Sequence, residues 1–137
     1  MRAWCMSADE IPHRLRFLSE GVQDSSLPSA LPTDFVPQRI VSVDCPSPAQ
    51  LGALAETFEG RVDLMIDHHE VGVPYANGWI VPEAAATGEL IFCIAKELLQ
   101  RGALLSIPTK AQAAMYAAIA SDTGRFLYSN GTSETDL

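Results

Sequence analysis

No apolar run in the 137 residues approaches the roughly 20 that a membrane helix needs, and no basic segment followed by an apolar stretch marks a secretory leader. The expectation is a soluble, cytoplasmic protein with no membrane partner. Cysteine is scarce: Cys5, Cys45 and Cys93 are odd in number and form no Cys-x-x-Cys pair, which excludes a zinc knuckle or a thiol-exchange motif of that type. They read as reduced, buried thiols. Positive charge is also scarce, with 9 Lys and Arg against 17 Asp and Glu and a net charge of −8. That balance argues against a long nucleic-acid duplex as partner, because duplex binding rests on neutralising many phosphates. It leaves room for a small phosphorylated substrate, since carboxylates hold divalent cations and cations hold phosphate.

What is present is enough apolar material, 47% of residues, to bury the core of one domain. "MRAWCMS" reads as a short strand, "ADEIPHRLRFLSEG" as a short helix closed by Gly21, and residues 22–37, with three prolines, as a loop. "RIVSVDC" (39–45) has the β-branched, nearly all-apolar character of a strand covered on both faces. "SPAQLGALAETFEG" reads as a helix with Ser47 as N-cap, Pro48 at the first position, Leu51, Leu54, Ala55 and Phe58 on its inner face, and Gly60 as terminator. "RVDLMIDHH" is a second strand. Strand, helix and strand with short joins make the βαβ unit of a parallel sheet, and so an α/β fold with flanking helices. The looser "EVGVPYANGW" then leads into a helix at about 83–101, with Leu90, Ile91, Ile94, Ala95, Leu98 and Leu99 as its buried stripe, stopped by Gly102. A second alanine-rich helix spans about 108–120, and "RFLYSNGT" reads as a strand and turn.

Two strands end in metal-ligand types: Asp44 after "RIVSV", and Asp67, His68 and His69 after "VDLMI". Ligands of open parallel sheets bind at the carboxyl ends of the strands, so the two motifs are expected to converge. Asp122 closes an apolar helix, where a carboxylate opposes the negative end of the helix dipole, and a nearby cation would account for it. Each aspartate alone reads equally as a turn or cap residue. The adjacent histidines carry more information, because neighbouring side chains on an extended backbone diverge. Thr87 and Glu89, at the start of the long helix, read first as N-terminal partners of its backbone and second as support for a metal shell. His13, Arg14 and Arg16 read as solvated surface.

In their order and spacing, "VDC", "DHHE", "PEAAATGELIF" and "ASDTGRFLYSNGTSET" resemble the DHH phosphoesterase family, in particular its branch of oligoribonuclease and 3′,5′-bisphosphonucleotide phosphatase proteins. The resemblance runs over nearly the whole chain, residues 1–137, and implies part of a Rossmann-like catalytic domain. It implies that Asp44 bridges two divalent metals, usually Mn²⁺ with Mg²⁺ or Co²⁺ as alternatives, and that His68 and Asp122 ligate one of them. It further implies that His69 donates to the scissile phosphate and that Asp67 orients a histidine; Arg125, after the Asp-Thr-Gly turn, reads first as a surface arginine and second as a contact to substrate phosphate. The implied substrates are short oligoribonucleotides and bisphosphonucleotides. A single-strand exonuclease, a family-II pyrophosphatase, or a remnant that binds metal or a partner without hydrolysis are the competing expectations.

The family's first motif, of the His-x-x-Pro-Asp-x-Asp type, has no counterpart, and no Asp-x-Asp occurs anywhere in the chain. The smaller domain with its Gly-rich substrate segment is not represented either. The expectation is one weakly held ion, on three ligands with water in the fourth position, and little turnover by this chain alone. An apolar sheet edge and face left open would promote self-association, with a homodimer as one outcome.

Overall fold

A computed structural model describes residues 3–7, 9–20, 24–25, 32–58 and 60–124. Along the chain lie β1 (Cys5–Met6), a 3₁₀ turn (His13–Leu15), α1 (Arg16–Ser19), β2 (Asp24–Ser25) and β3 (Val41–Val43). A 3₁₀ segment (Pro48–Leu54), α2 (Ala55–Phe58), β4 (Leu64–Asp67), β5 (Asn77–Ile80), α3 (Thr87–Gln100) and α4 (Thr109–Asp122) follow. Strands β3, β4 and β5 form a parallel sheet in that order, and β1 pairs with β2 separately, also in parallel. The fold is α/β, a parallel sheet with flanking helices.

The βαβ unit stands where the sequence places it. Asp63 pins its lower end, accepting from the Ile40 amide at 2.8 Å and donating its own amide to Ile40 at 2.9 Å; Asp44 N–H to Ile66 O, 3.0 Å, closes the upper end. Parallel register puts paired residues on one face. Ser42, Met65 and Gly78 share the face where Tyr75 bonds Ser42, and there Leu51, Leu54 and Phe58 form a core with Met6, Ile40, Cys45, Ala55 and Tyr75. Val43, Ile66 and Trp79 share the other face, where Trp79 lines a groove with Cys93, Ile94 and Leu98 of α3.

Several expectations need correction. Strand β3 is not covered on both faces: Val41 and Val43 are 49% and 47% exposed and Leu64 is 36% exposed, because α3 lies toward Ile66, Trp79 and the opposite edge. The segment 47–60 is not one helix. Gly52 takes φ 53°, a left-handed conformation that breaks it into a 3₁₀ piece and one α turn, and the Ser47 side chain makes no cap bond. "ANGWI", read as loop, holds β5. Within the 22–37 loop, Asp24–Ser25 pairs with β1. The long helix begins at Thr87, after a turn at 82–85, rather than near 83. The cysteines are free, but Cys5 and Cys93 are exposed and only Cys45 is partly covered, so scarcity did not mean burial. In the α3 stripe only Leu90 is fully buried, and Leu98 is 37% exposed. Gly21, Arg125 and the rest of "RFLYSNGT" lie outside the described residues. Among the described residues no helix is long and apolar enough to cross a membrane.

Helices α3 and α4 form an antiparallel hairpin. Gly102, at φ 69°, ends α3 in a Schellman arrangement, with Gly102 N–H to Leu99 O and Ala103 N–H to Leu98 O. The helices touch closely at Gly88, where a β-carbon would come within 2.9 Å of Ala118 Cβ and 3.2 Å of Met115 O. That contact sets the first turn of α3 beside the last turns of α4, and Gly124 at φ 57° then stops α4 with Asp122 as its final residue.

Candidate metal centre

Four segments meet at the carboxyl ends of the parallel strands. Asp44 follows β3 in the left-handed region, at φ 59°, a conformation that costs a side-chain-bearing residue roughly 1 kcal/mol and that aspartate tolerates better than most. His68 and His69 follow β4, Thr87 opens α3, and Asp122 closes α4.

The two imidazoles do not diverge as expected of neighbours on an extended backbone: they stand edge to face in contact, with centroids 4.7 Å apart and planes at 62°. His68 Nδ1 lies 3.1 Å from the Ala84 carbonyl oxygen, an acceptor that takes the ring proton and leaves the Nε2 lone pair open. That Nε2 is 3.4 Å from Asp122 Oδ2 and 3.7 Å from Asp44 Oδ1. His69 is bonded by a different carboxylate. Its Nδ1 meets Asp67 Oδ1 at 2.7 Å, and its backbone amide donates to the same oxygen at 2.7 Å. Asp67 is 1% exposed, and its Oδ2 is buried without a hydrogen-bond partner.

Possible ligand atoms of Asp44, His68 and His69 all lie within 4.8 Å of one another, a grouping that can hold a metal ion. The His69 atom facing Asp44, at 3.9 Å, is Nδ1, which is already engaged by Asp67. Asp122 stands outside that grouping, and its Oδ2 lies 3.4 Å from His68 Nε2, the nitrogen that also lies 3.7 Å from Asp44 Oδ1. Two carboxylates and a neutral imidazole nitrogen suit a borderline divalent ion. Electrostatics agree: burial, and then the nearby Asp44 carboxylate, raise the Asp122 pKa, while His68 and His69 pull it down. A cation between the carboxylates would remove the repulsion.

This yields a sign. A carboxyl whose folded pKa is raised destabilises the charged fold above that value and stops doing so as pH falls through it. With chelator present, Asp122→Asn is expected to unfold a degree or a few higher at pH 7, about 0.5 kcal/mol for a charge removed from a helix C-terminus. The gain should shrink on acidification and vanish below the ordinary aspartate value of about 3.9. Thermal melts from pH 7 to pH 3 check it.

Of the other candidates, Glu89 stays with its own helix, accepting from the Ala85 amide at 2.8 Å, while Thr87 joins the site, donating to Asp44 Oδ1 at 2.7 Å. His13, Arg14 and Arg16 are exposed, and Arg16 meets Glu10 at 4.0 Å. The Ala84 carbonyl was invisible in the sequence, because a backbone acceptor leaves no side-chain signature. Tyr75 was missed as well. Its hydroxyl, 2.6 Å from Ser42 Oγ and donating to Cys45 O at 3.2 Å, ties down the chain on either side of Asp44. Burial chiefly, with the Cys45 contact, pushes its pKa up to about 12. Gly72 brings the loop after the histidines against Pro46, where a β-carbon would meet Pro46 Cβ at 2.7 Å.

Comparison with known proteins gives two findings. The bifunctional oligoribonuclease and PAP phosphatase NrnA of Bacillus subtilis (strain 168) is 38% identical over 73 residues, 53% of this chain and 23% of that protein. The crystal structure of an exopolyphosphatase-related protein from Bacteroides fragilis superposes with a TM-score of 0.73 at 18% identity, over 94% of this chain and 39% of the other. The chain thus spans less than a quarter of the curated relative and about two-fifths of the solved structure. No protein-family model matches.

Proposed function

We propose that this chain, similar in sequence over 73 residues to NrnA and in fold to the exopolyphosphatase-related protein, is part of a metal-dependent phosphoesterase of the DHH family. The reaction is hydrolysis of short oligoribonucleotides to mononucleotides, of the 3′-phosphate of bisphosphonucleotides, or of both. One observation carries the reading: the Ala84 carbonyl turns His68 so that Nε2 lies 3.7 Å from Asp44 and 3.4 Å from Asp122, one imidazole nitrogen between two carboxylates.

Asp44, His68 and Asp122 hold the cation, with Mn²⁺ as the proposed ion and Mg²⁺ or Co²⁺ as substitutes. A divalent ion there supplies acidification of water and neutralisation of phosphate charge. The residues supply the rest. His69, held at Nδ1 by Asp67, presents its Nε2 edge to a phosphate oxygen and donates to it as the doubly protonated imidazolium. Arg125, one residue beyond the Gly124 turn, is proposed as a second phosphate contact. The net charge of −8 favours a small substrate gripped through its phosphate over a long strand gripped along its backbone.

The test is a single-turnover assay with protein in excess over a 5′-labelled diribonucleotide or a 3′,5′-bisphosphonucleotide. Slow release of mononucleotide or phosphate that needs Mn²⁺ and stops with chelator is expected. Failure to bind Mn²⁺ overturns the proposal. Tight Mn²⁺ binding with no cleavage favours the second reading, a metal- or partner-binding unit without hydrolysis, which the lack of any Asp-x-Asp supports.

A further inference from the structure

Thr87 stands in an unusual position for a helix-opening threonine. At a helix start, a hydroxyl commonly serves the helix's own unpaired amides. Here the N-cap is Ala86, no side chain caps the helix, and Glu89 reaches back to the Ala85 amide instead. The Thr87 hydroxyl is directed elsewhere, to Asp44 Oδ1 at 2.7 Å, a residue 43 positions away on the sheet. Thr87 is 2% exposed, so its rotamer is set by packing. The oxygen it reaches also lies 3.7 Å from His68 Nε2 and 3.9 Å from His69 Nδ1. Asp44 itself is half exposed and sits on a left-handed backbone, so little else restrains its carboxylate from turning to solvent.

Resting on the reading of Asp44 as a metal ligand, we propose that Thr87 is a positioning residue: its hydroxyl holds the Asp44 carboxylate toward the histidine pair and so tunes metal affinity from the first turn of α3. The hydroxyl fills one lone pair of Oδ1, leaving the other lone pair and Oδ2 for the cation. Through Gly88, the next residue, the same turn is packed on α4, so the Asp44 carboxylate is registered against the helix that carries Asp122.

Calorimetric titration of the 137-residue chain with Mn²⁺ tests this, using Thr87→Val, Thr87→Ser and His68→Ala beside the parent. Loss of an outer partner of a metal ligand typically costs 10–100-fold in affinity. Thr87→Val, nearly the same shape without the hydroxyl, is expected to weaken Mn²⁺ binding by about that factor. Thr87→Ser should stay within about threefold of the parent, since the donor is kept. Melting in chelator separates positioning from folding: Thr87→Val should melt close to the parent, because solvent can reach Asp44 in place of the lost hydroxyl. If His68→Ala loses Mn²⁺ while Thr87→Val binds it like the parent, the positioning role is overturned and the metal site stands. If Thr87→Val and Thr87→Ser weaken binding equally, packing rather than the hydroxyl is responsible and the proposal fails. If His68→Ala binds like the parent, or the parent binds nothing, the ligand assignment falls and this proposal with it.

Discussion

Replacing His68 with alanine is expected to weaken Mn²⁺ binding by more than about 100-fold, beyond the 10–100-fold that loss of an outer-sphere partner costs. The size follows from ligand count. The fit rests on two carboxylates and one imidazole, and among the described residues His68 supplies the ring nitrogen that faces both Asp44 and Asp122. His69 cannot substitute without leaving Asp67, which engages the nitrogen that faces Asp44. The same substitution should change the chelated protein little, because His68 lies at the strand ends, outside the core formed by Leu51, Leu54 and Phe58. Titration calorimetry and melts with and without Mn²⁺ give both numbers, and equal binding by parent and variant would remove His68 from the ligand set.

His69→Gln is expected to behave in the opposite way, keeping Mn²⁺ affinity within a few-fold while lowering turnover by about 10²–10³, the usual cost of removing one donor to a developing oxyanion. The two rings have different carboxylate partners, His69 bonding Asp67 at 2.7 Å and His68 lying 3.4 Å from Asp122. Glutamine keeps an amide donor but cannot place it where a ring fixed at its opposite nitrogen does, and it cannot carry charge. Single-turnover rates at saturating Mn²⁺ measure the effect. A parallel loss of metal and rate would mean that the two histidines share one task.

The meeting of the histidine pair with Asp44 was legible because strands of a parallel sheet deliver their ends to one edge, and both strand ends were visible as apolar runs stopped by polar residues; Asp122 stood out as a carboxylate at the end of an apolar helix. The rest depended on contacts that no local pattern records. β5 escaped notice because Asn77 and Gly78 weaken its strand character and an edge strand needs little apolar alternation. Gly52 reads as an ordinary helix interior residue until its φ is known. Thr87 and Glu89, weighed together as one kind of residue, part company in the fold: the carboxylate is used locally and the hydroxyl across 43 residues. The segment 39–45, nearly all apolar before Asp44, was read as a doubly covered strand, yet one side of β3 is half open, since apolar sequence states what a strand can bury and not what is there to bury it.

Because Gly88 lets α3 and α4 touch at Ala118, the two helices form one leaf and the sheet forms the other. Thr87 and Asp122 belong to the first leaf, Asp44 and His68 to the second, so lifting the hairpin separates both pairs at once. A cation held between the leaves would act as a clasp, adding about 2.7 kcal/mol to closure at 100 times its Kd. That energy would be spent against partial opening as well as complete unfolding, and amide exchange along the hairpin would slow when the ion binds.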